Sequence, residues 1–463
     1  MAHIKTFRHN VLSMFQSAID GLIPRGAPEG SAKARRPDMT HAMVQAAVQI
    51  CEHKDRGETA PKQAPSGLVA SLGKAAETAW TSMSLLADLF EAKIKGEHDK
   101  AQEIKDELVF SNVDPKWVEA IEDYLNYFGL DRDKREIPYI RYANINDFVL
   151  DTLPPNATIA LLGDWATGTS EAVELLKQVN AKHPDVVIHL GDVYYSGTHN
   201  ENQGYFLGVL DEVLDRSRVA VYSLTGNHDM YSGGVGYYDM IKELNLSLDP
   251  KHTQPASYFS LRTTDGAWQF LSMDTGLHDS DPFEVADAVT YLDPREEAWH
   301  LDKLANFEGR TILLSHHQLF SAFEHIGKLK EKPDAEKAFN PKLLASFRQF
   351  QKQGDIAAWF WGHEHNMCVY QPYAPLDKGR CIGHGAIPVF LEQDPYKFPS
   401  DIPNPPQLVE DPNHPGQKLM LAKDDEVYAH GYVIISLDNR SKTAQVDYYQ
   451  ETDEHTPMYT ETL

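Results

Sequence analysis

Two rhythms of apolar and polar positions divide the chain. Up to about Arg141 the apolar residues recur at helical spacing, which assigns them to packing. Asp38 or Thr40 can cap HAMVQAAVQICEHK, residues 67–95 are rich in Ala, Leu and Met, and DPKWVEAIEDYLNYFG sets a proline in a first turn, where its missing N–H is harmless. Residues 57–66, GETAPKQAPS, interrupt these helices. After Pro154 the pattern becomes short apolar runs, ATIALLG, DVVIHLG, VAVYSLTG, TILLSH and IAAWFWG, each ending at a glycine or a polar residue. Between them SEAVELLKQVNAKH and PKLLASFRQFQKQG read as covering helices, and two segments, SYFSLRTTDGAWQFLSMD and YVIISLDNRSKTAQVDYYQ, read as hairpins. These elements predict an α/β fold: a four-layer αββα sandwich, two packed mixed sheets flanked by helices, behind an N-terminal all-helical domain. The boundary is placed at 1–145 and 146–463. A Pro- and Asp-rich stretch between Leu391 and Glu426 reads as a solvated surface loop.

Composition narrows the picture. At 463 residues the chain exceeds one ordinary domain, and 42% hydrophobic against 24% charged residues is a globular balance. The formal charge of -25 repels polyanions, so long nucleic acids are disfavoured as partners. Cys51, Cys368 and Cys381 have no metal-ligand spacing and no disulfide arithmetic, which fits a reducing compartment. The N-terminal stretch lacks the apolar core of a signal peptide, and no window approaches a membrane span. The expectation is a cytoplasmic protein without a membrane partner.

The polar residues gather where the apolar runs end, the place where open α/β sheets hold ligands. Five segments follow in order: Gly163-Asp164-Trp165, Gly191-Asp192-Val193-Tyr194-Tyr195, Gly226-Asn227-His228-Asp229, Ser315-His316-His317 and Gly362-His363-Glu364-His365. One Gly-Asp pair is commonly a turn, but five such segments at successive strand ends are a pattern. Together they offer carboxylates, an amide oxygen, a phenol and imidazoles without a thiolate, a donor set suited to iron, manganese or zinc. In extended backbone His363 and His365 project to one side, so each can reach one of two adjacent ions.

These segments, from about residue 157 to 449, resemble the calcineurin-like metallophosphoesterases and, among them, most closely the purple acid phosphatases, whose pattern has GDW, GDxxY, GNH with an acid, a later His and GHxH. The resemblance implies that Asp164, Asp192, Tyr195 and His365 hold one metal and Asp192, Asn227, His316 and His363 the other, with Asp192 as the bridge. Many relatives carry a histidine two residues after the first aspartate; here that position is Ala166, and Tyr195 would replace the ligand. A tyrosinate on ferric iron favours iron with iron, manganese or zinc as the second ion; a buried structural tyrosine is the competing reading, with Tyr194 beside it. His325, nine residues after His316, matches a histidine near the substrate phosphate, although Gln318 stands where the family has proline. His228 is the first candidate for contacting phosphate and His325 the second, with Asp229 orienting His228. His317 is the weaker alternative to His316, and His384 lies at a strand end near the expected site.

The activity implied is metal-dependent hydrolysis of phosphate esters: two ions clamp the phosphoryl oxygens and make hydroxide from a shared water. A small phosphorylated substrate is expected. The competing readings are a phosphodiesterase acting on small or cyclic nucleotides and a protein-binding scaffold on the same fold. The helical domain could roof the cleft, join copies into a homo-oligomer or stabilise the fold. Specificity is assigned to the loops 197–217, 231–256, 277–297 and 391–428.

Overall fold

The computed structural model describes residues 137–463 apart from 195, 281–287, 329–331, 390, 392–393 and 425–426, together with Trp80 and Ser84. The chain divides into two compact units, Met1–Arg135 and Glu136–Leu463. The expected all-helical N-terminal domain lies outside the described residues, save for Trp80 and Ser84, both helical. Residues 137–145, grouped with that domain by their sequence pattern, pack instead into the second unit. There the Tyr139 hydroxyl donates to Glu296 at 2.6 Å, Arg141 pairs with Asp293 at 2.8 Å, and the Tyr142 N–H donates to the Tyr258 hydroxyl at 3.1 Å.

The strands of this unit run β1 Val149–Leu153, β2 Thr158–Leu162, β3 Val186–His189, β4 Ala220–Ser223, β5 Phe259–Thr263, β6 Trp268–Ser272, β7 Arg310–Leu314, β8 Asp355–Trp361, β9 Met367–Val369, β10 Gly379–Ile382, β11 Lys423–Asp424, β12 Val427–Tyr428, β13 Gly431–Asp438, β14 Thr443–Gln450 and β15 Tyr459–Thr462. They build a seven-stranded sheet, β1-β5-β6-β7-β8-β10-β9, and a six-stranded sheet, β15-β14-β13-β2-β3-β4, with β11 and β12 a separate pair. Both sheets are mixed: β2, β3 and β4 are parallel, as are β6, β7 and β8, while β5-β6 and β13-β14 are the two expected antiparallel hairpins.

The near-continuous apolar runs arise because both faces of each parallel segment are covered. Along β2, Ile159 and Leu161 join Ile188, Tyr222, Leu261 and Phe270 in the core between the sheets. Ala160 and Leu162 join Val187, Val221 and, from the helix Ser170–Ala181, Leu175, Leu176 and Val179 in a second core outside it. Trp299 and Leu304 of the helix Pro294–Ala305 and Leu343 and Phe347 of the helix Pro341–Phe350 supply apolar cover to the seven-stranded sheet. The helix starts are legible as chemistry: Thr169 accepts from the Ala172 N–H, and Asn340 accepts from Lys342 and Leu343 ahead of a first-turn proline.

The stretch 391–426 departs from its expected solvated character. Tyr396, Ile402, Leu408, Leu419 and Leu421 are buried in the main core, and Val409 donates to the Val369 carbonyl at 2.9 Å, so the segment is pinned at both its apolar residues and its backbone. Among the described residues no helix is long and apolar enough to cross a membrane.

Candidate metal centre

The parallel strands of both sheets end at one place. Asp164 follows β2, Asp192 follows β3 and Asn227 follows β4 from the six-stranded sheet; His316 follows β7 and His363 and His365 follow β8 from the seven-stranded one. To turn a side chain back across the strand ends, Asp164, Asp192 and His363 adopt φ of 54°, 72° and 66°, the left-handed region that residues with a Cβ avoid. The glycines preceding the candidate ligands have steric roles. Gly191 sits at φ +104°, and a Cβ there would come within 2.6 Å of the Gly226 nitrogen; a Cβ on Gly226 would stand 2.0 Å from Asp192 Oδ1.

The donor atoms form two groups that share a member. Around the first, Tyr194 Oη lies 2.9 Å from Asp164 Oδ1, 3.1 Å from Asp192 Oδ2 and 2.8 Å from His365 Nε2, and His365 Nε2 lies 3.3 Å from Asp164 Oδ1. Around the second, His316 Nε2 lies 3.3 Å from Asp192 Oδ2 and 3.1 Å from Asn227 Oδ1, while His363 Nδ1 lies 3.0 Å from Asn227 Oδ1 and 3.2 Å from His316 Nε2. Atoms held about 2.1 Å from one ion at right angles to each other stand about 3.0 Å apart, so both groups have the spacing of a coordination shell. Asp192 Oδ2 belongs to both.

Tyr195, the expected phenol donor, lies outside the described residues. Among the described residues, a hydroxyl that meets Asp164, Asp192 and His365 belongs to Tyr194, the tyrosine beside the expected donor. The family motif points to Tyr195, and the contact of Tyr194 with these donors carries no signal along the chain, because it depends on how the backbone leaves β3.

The remaining candidates separate. The His228 N–H donates to Asp192 Oδ1 at 2.9 Å, its ring is flanked by those of Tyr194 and Tyr231, and its Nε2 lies 4.0 Å from Asp192 Oδ2. Asp229 does not orient that ring: its carboxylate accepts from the backbone N–H groups of Gly226, Asp192 and Val193 at 2.8, 2.9 and 3.1 Å, tying the loops after β3 and β4 together. His317 turns away from the shared carboxylate, its Nδ1 3.0 Å from Thr275 Oγ1 and its Nε2 3.0 Å from Asp279 Oδ2, although it stays close enough to His316 and His363 to group with them. Neither Thr275 nor Asp279 carried a sequence signal, since both are distant in the chain. Beside His363 and His317 opens a cavity of about 130 Å³, with His325 at its edge. His325 is 44% exposed and pairs with Asp401 at 2.8 Å. His384 is buried against Gly431 and does not line the cavity.

Burial sets the electrostatics. It opposes the charge of Asp192, yet the rings of His316 and His228 hold that carboxyl well below the usual range; Asp164 is lowered for the same reason, mainly by His316 and His365. Burial also opposes a charged His316, but Asp192 and Asp164 raise it to about 9. Asp229 is pushed up to about 7 by burial and by the charge of Asp192. No lysine or arginine pairs with Asp164 or Asp192 among the described residues. His316 sets one positive charge against two buried carboxylates, and a divalent or trivalent ion would meet the remaining demand.

No curated protein matches the chain. Among solved structures it is similar to GAP50, the anchor in the inner membrane complex of Plasmodium, at 13% identity and a TM-score of 0.41, covering 66% of this chain and 88% of that one. Residues 157–367 match the family model of the calcineurin-like phosphoesterases, a span that begins just before β2 and ends at the start of β9, enclosing every candidate ligand named above. Over this stretch the chain is therefore similar to the calcineurin-like phosphoesterases.

Proposed function

We propose that this domain hydrolyses phosphate monoesters at a binuclear metal centre and is most similar in chemistry to the purple acid phosphatases. The observation that carries this reading is the sharing of Asp192 Oδ2 by two donor groups of coordination spacing. Asp164, Asp192, Tyr194 and His365 would hold one ion and Asp192, Asn227, His316 and His363 the other; the phenol in the first set favours ferric iron there, with iron, manganese or zinc in the second. Two ions bound in this way supply Lewis acidity toward the phosphoryl oxygens and lower the pKa of water.

The residues around them complete the chemistry. His228, flanked by two tyrosine rings next to Asp192, is placed to donate a hydrogen bond to a phosphate oxygen. His325, at the edge of the cavity, is placed to give a proton to the departing alcohol, with Asp401 holding its ring. Asp229 keeps the two loops in register, so its contribution is geometric.

The test is direct. Purified protein loaded with iron, manganese or zinc should release phosphate from p-nitrophenyl phosphate, and chelation followed by gel filtration should remove both metal and activity together. Fully loaded protein that hydrolyses no phosphate ester refutes the reading.

A further inference from the structure

The segment after His316 is anchored on both sides of one residue. The His317 N–H donates to Thr275 Oγ1 at 3.0 Å, and the His317 carbonyl accepts from the Ser315 hydroxyl at 2.7 Å. The Leu319 carbonyl accepts from the Asn340 N–H at 2.8 Å, and the Leu319 side chain is buried in the core. Gln318 lies between these anchors. It is 6% exposed and lines the cavity beside His363, and its side-chain amide makes no hydrogen bond among the described residues.

Other polar side chains of the same wall are bonded inside the fold. His317 meets Thr275 and Asp279 through its two ring nitrogens, Asn340 accepts from Lys342 and Leu343 and donates to the Thr290 carbonyl, and the Thr290 hydroxyl donates to the Thr275 carbonyl. The Gln318 amide keeps two N–H donors and an acceptor. A polar group at this depth is costly to leave without a partner, and a pinned backbone presents this one to whatever occupies the cavity. Gln318 stands where the resembled family has proline, which has no side-chain donor, so the amide is a feature of this chain.

No lysine or arginine lines the cavity, whereas Asp279 and Glu324 do, so negative charge growing there needs a neutral donor or a proton. In an in-line displacement the departing oxygen leaves on the side opposite the attacking one. His325, assigned to protonate the departing oxygen, lines the same cavity as Gln318. The turn that carries His325 is tied to the loop of His363 and His365 by the Ser321 hydroxyl, which donates to Glu364. Resting on the proposed phosphatase activity, we infer that Gln318 is a further catalytic residue, whose amide N–H donates to the ester oxygen that departs. Hydroxide forms the new P–O bond, the old P–O bond breaks with its electron pair on the departing oxygen, and His325 gives that oxygen its proton. Gln318 holds the charge on that oxygen until the proton arrives.

Gln318→Met keeps the length of the side chain and removes both donors. The metal-loaded variant and wild type are compared in kcat/KM for phenyl phosphate and p-nitrophenyl phosphate, in metal content, in urea midpoint, and in calorimetric Kd for benzylphosphonate, an inert analogue with a methylene in place of the ester oxygen. Turnover of phenyl phosphate should fall by about a hundredfold, and that of p-nitrophenyl phosphate, whose departing oxygen is the weaker base, by less than about tenfold. Metal content and benzylphosphonate affinity should be unchanged, and the urea midpoint equal or higher, since the amide has no partner in the fold to lose. Equal losses on the two esters, no loss on either, or weaker benzylphosphonate binding overturns the assignment to the departing oxygen. A lowered urea midpoint or lost metal also overturns it, by showing that the amide supports the fold. Wild type that holds its metal and turns over neither ester refutes the phosphatase reading itself, a result separate from any effect of the variant.

Discussion

Asp164, Asp192 and His363 hold left-handed backbone conformations that cost free energy in any residue with a side chain, and all three point donor atoms at the same place. Asp192 has the most to do, since its Oδ2 meets both donor groups while its Oδ1 accepts from the His228 N–H. Asparagine tolerates this backbone almost as well as aspartate, so Asp192→Asn isolates the charge from the conformation. That variant should stay folded, lose metal from both positions in elemental analysis, and drop p-nitrophenyl phosphate turnover by more than about a hundredfold, the upper end of what removing a merely supporting residue costs. Retained metal and activity would place the centre elsewhere. The phenol is equally testable: in protein containing ferric iron, Tyr194→Phe should abolish the visible charge-transfer absorption and Tyr195→Phe should keep it. The reverse result would return the role to the position that the family motif implies.

Two loops depend on close contact between strand ends. The turn after β4 approaches the turn after β3 so nearly that Gly226 has no room for a Cβ beside Asp192, and Asp229 stitches three N–H groups of those turns together. Gly226→Ala should therefore displace the Asp192 carboxylate and weaken metal binding by about a hundredfold, read by titration of the metal-free protein, while circular dichroism remains that of a folded chain. Unchanged metal affinity would mean the turn has slack the structure does not show. How much of this was legible beforehand varies with the range of the interaction. The strands, the two hairpins and the five motif segments were readable because each is set by a few consecutive residues. The role of Asp229 was misassigned, since its partners are backbone groups from another turn, and the stretch 391–426 was read as solvated because its buried residues are scattered among prolines and aspartates.

The two sheets are also joined by charge. Arg380 on β10 of the seven-stranded sheet forms a two-pronged pair with Glu461 on β15 of the six-stranded sheet, at 2.6 and 2.7 Å, with Lys378 and the Tyr448 hydroxyl on the same carboxylate. Burial opposes the charge of Glu461, but Arg380 and Lys378 bring its pKa from 4.5 down to about 2. A carboxyl lowered on folding contributes its stability in full above its unfolded value and loses it as pH falls toward the folded one. The contribution is therefore complete above about pH 4.5 and gone near pH 2. Glu461→Gln leaves Arg380 buried without its partner and should cost about 3 kcal/mol at pH 7 by urea unfolding. The gap between variant and wild type should narrow as pH drops below 4.5; a gap that stays constant with pH would show that the pair contributes through packing alone.

The order of strands and helices, the acidic balance and the presence of five ligand-bearing segments were determined by the sequence, because alternation of apolar runs with glycine-led turns is a local property of the chain. Tertiary structure decided what those turns do together: that Asp192 is common to two donor groups, that a hydroxyl from Tyr194 completes one of them, that His317 is held by Thr275 and Asp279 across a loop, and that Ser321 is tied to Glu364. Each of these is a contact between atoms far apart in sequence and about 3 Å apart in space. Such distances depend on the twist and packing of whole sheets, and a pattern of residues along one chain carries no measure of them.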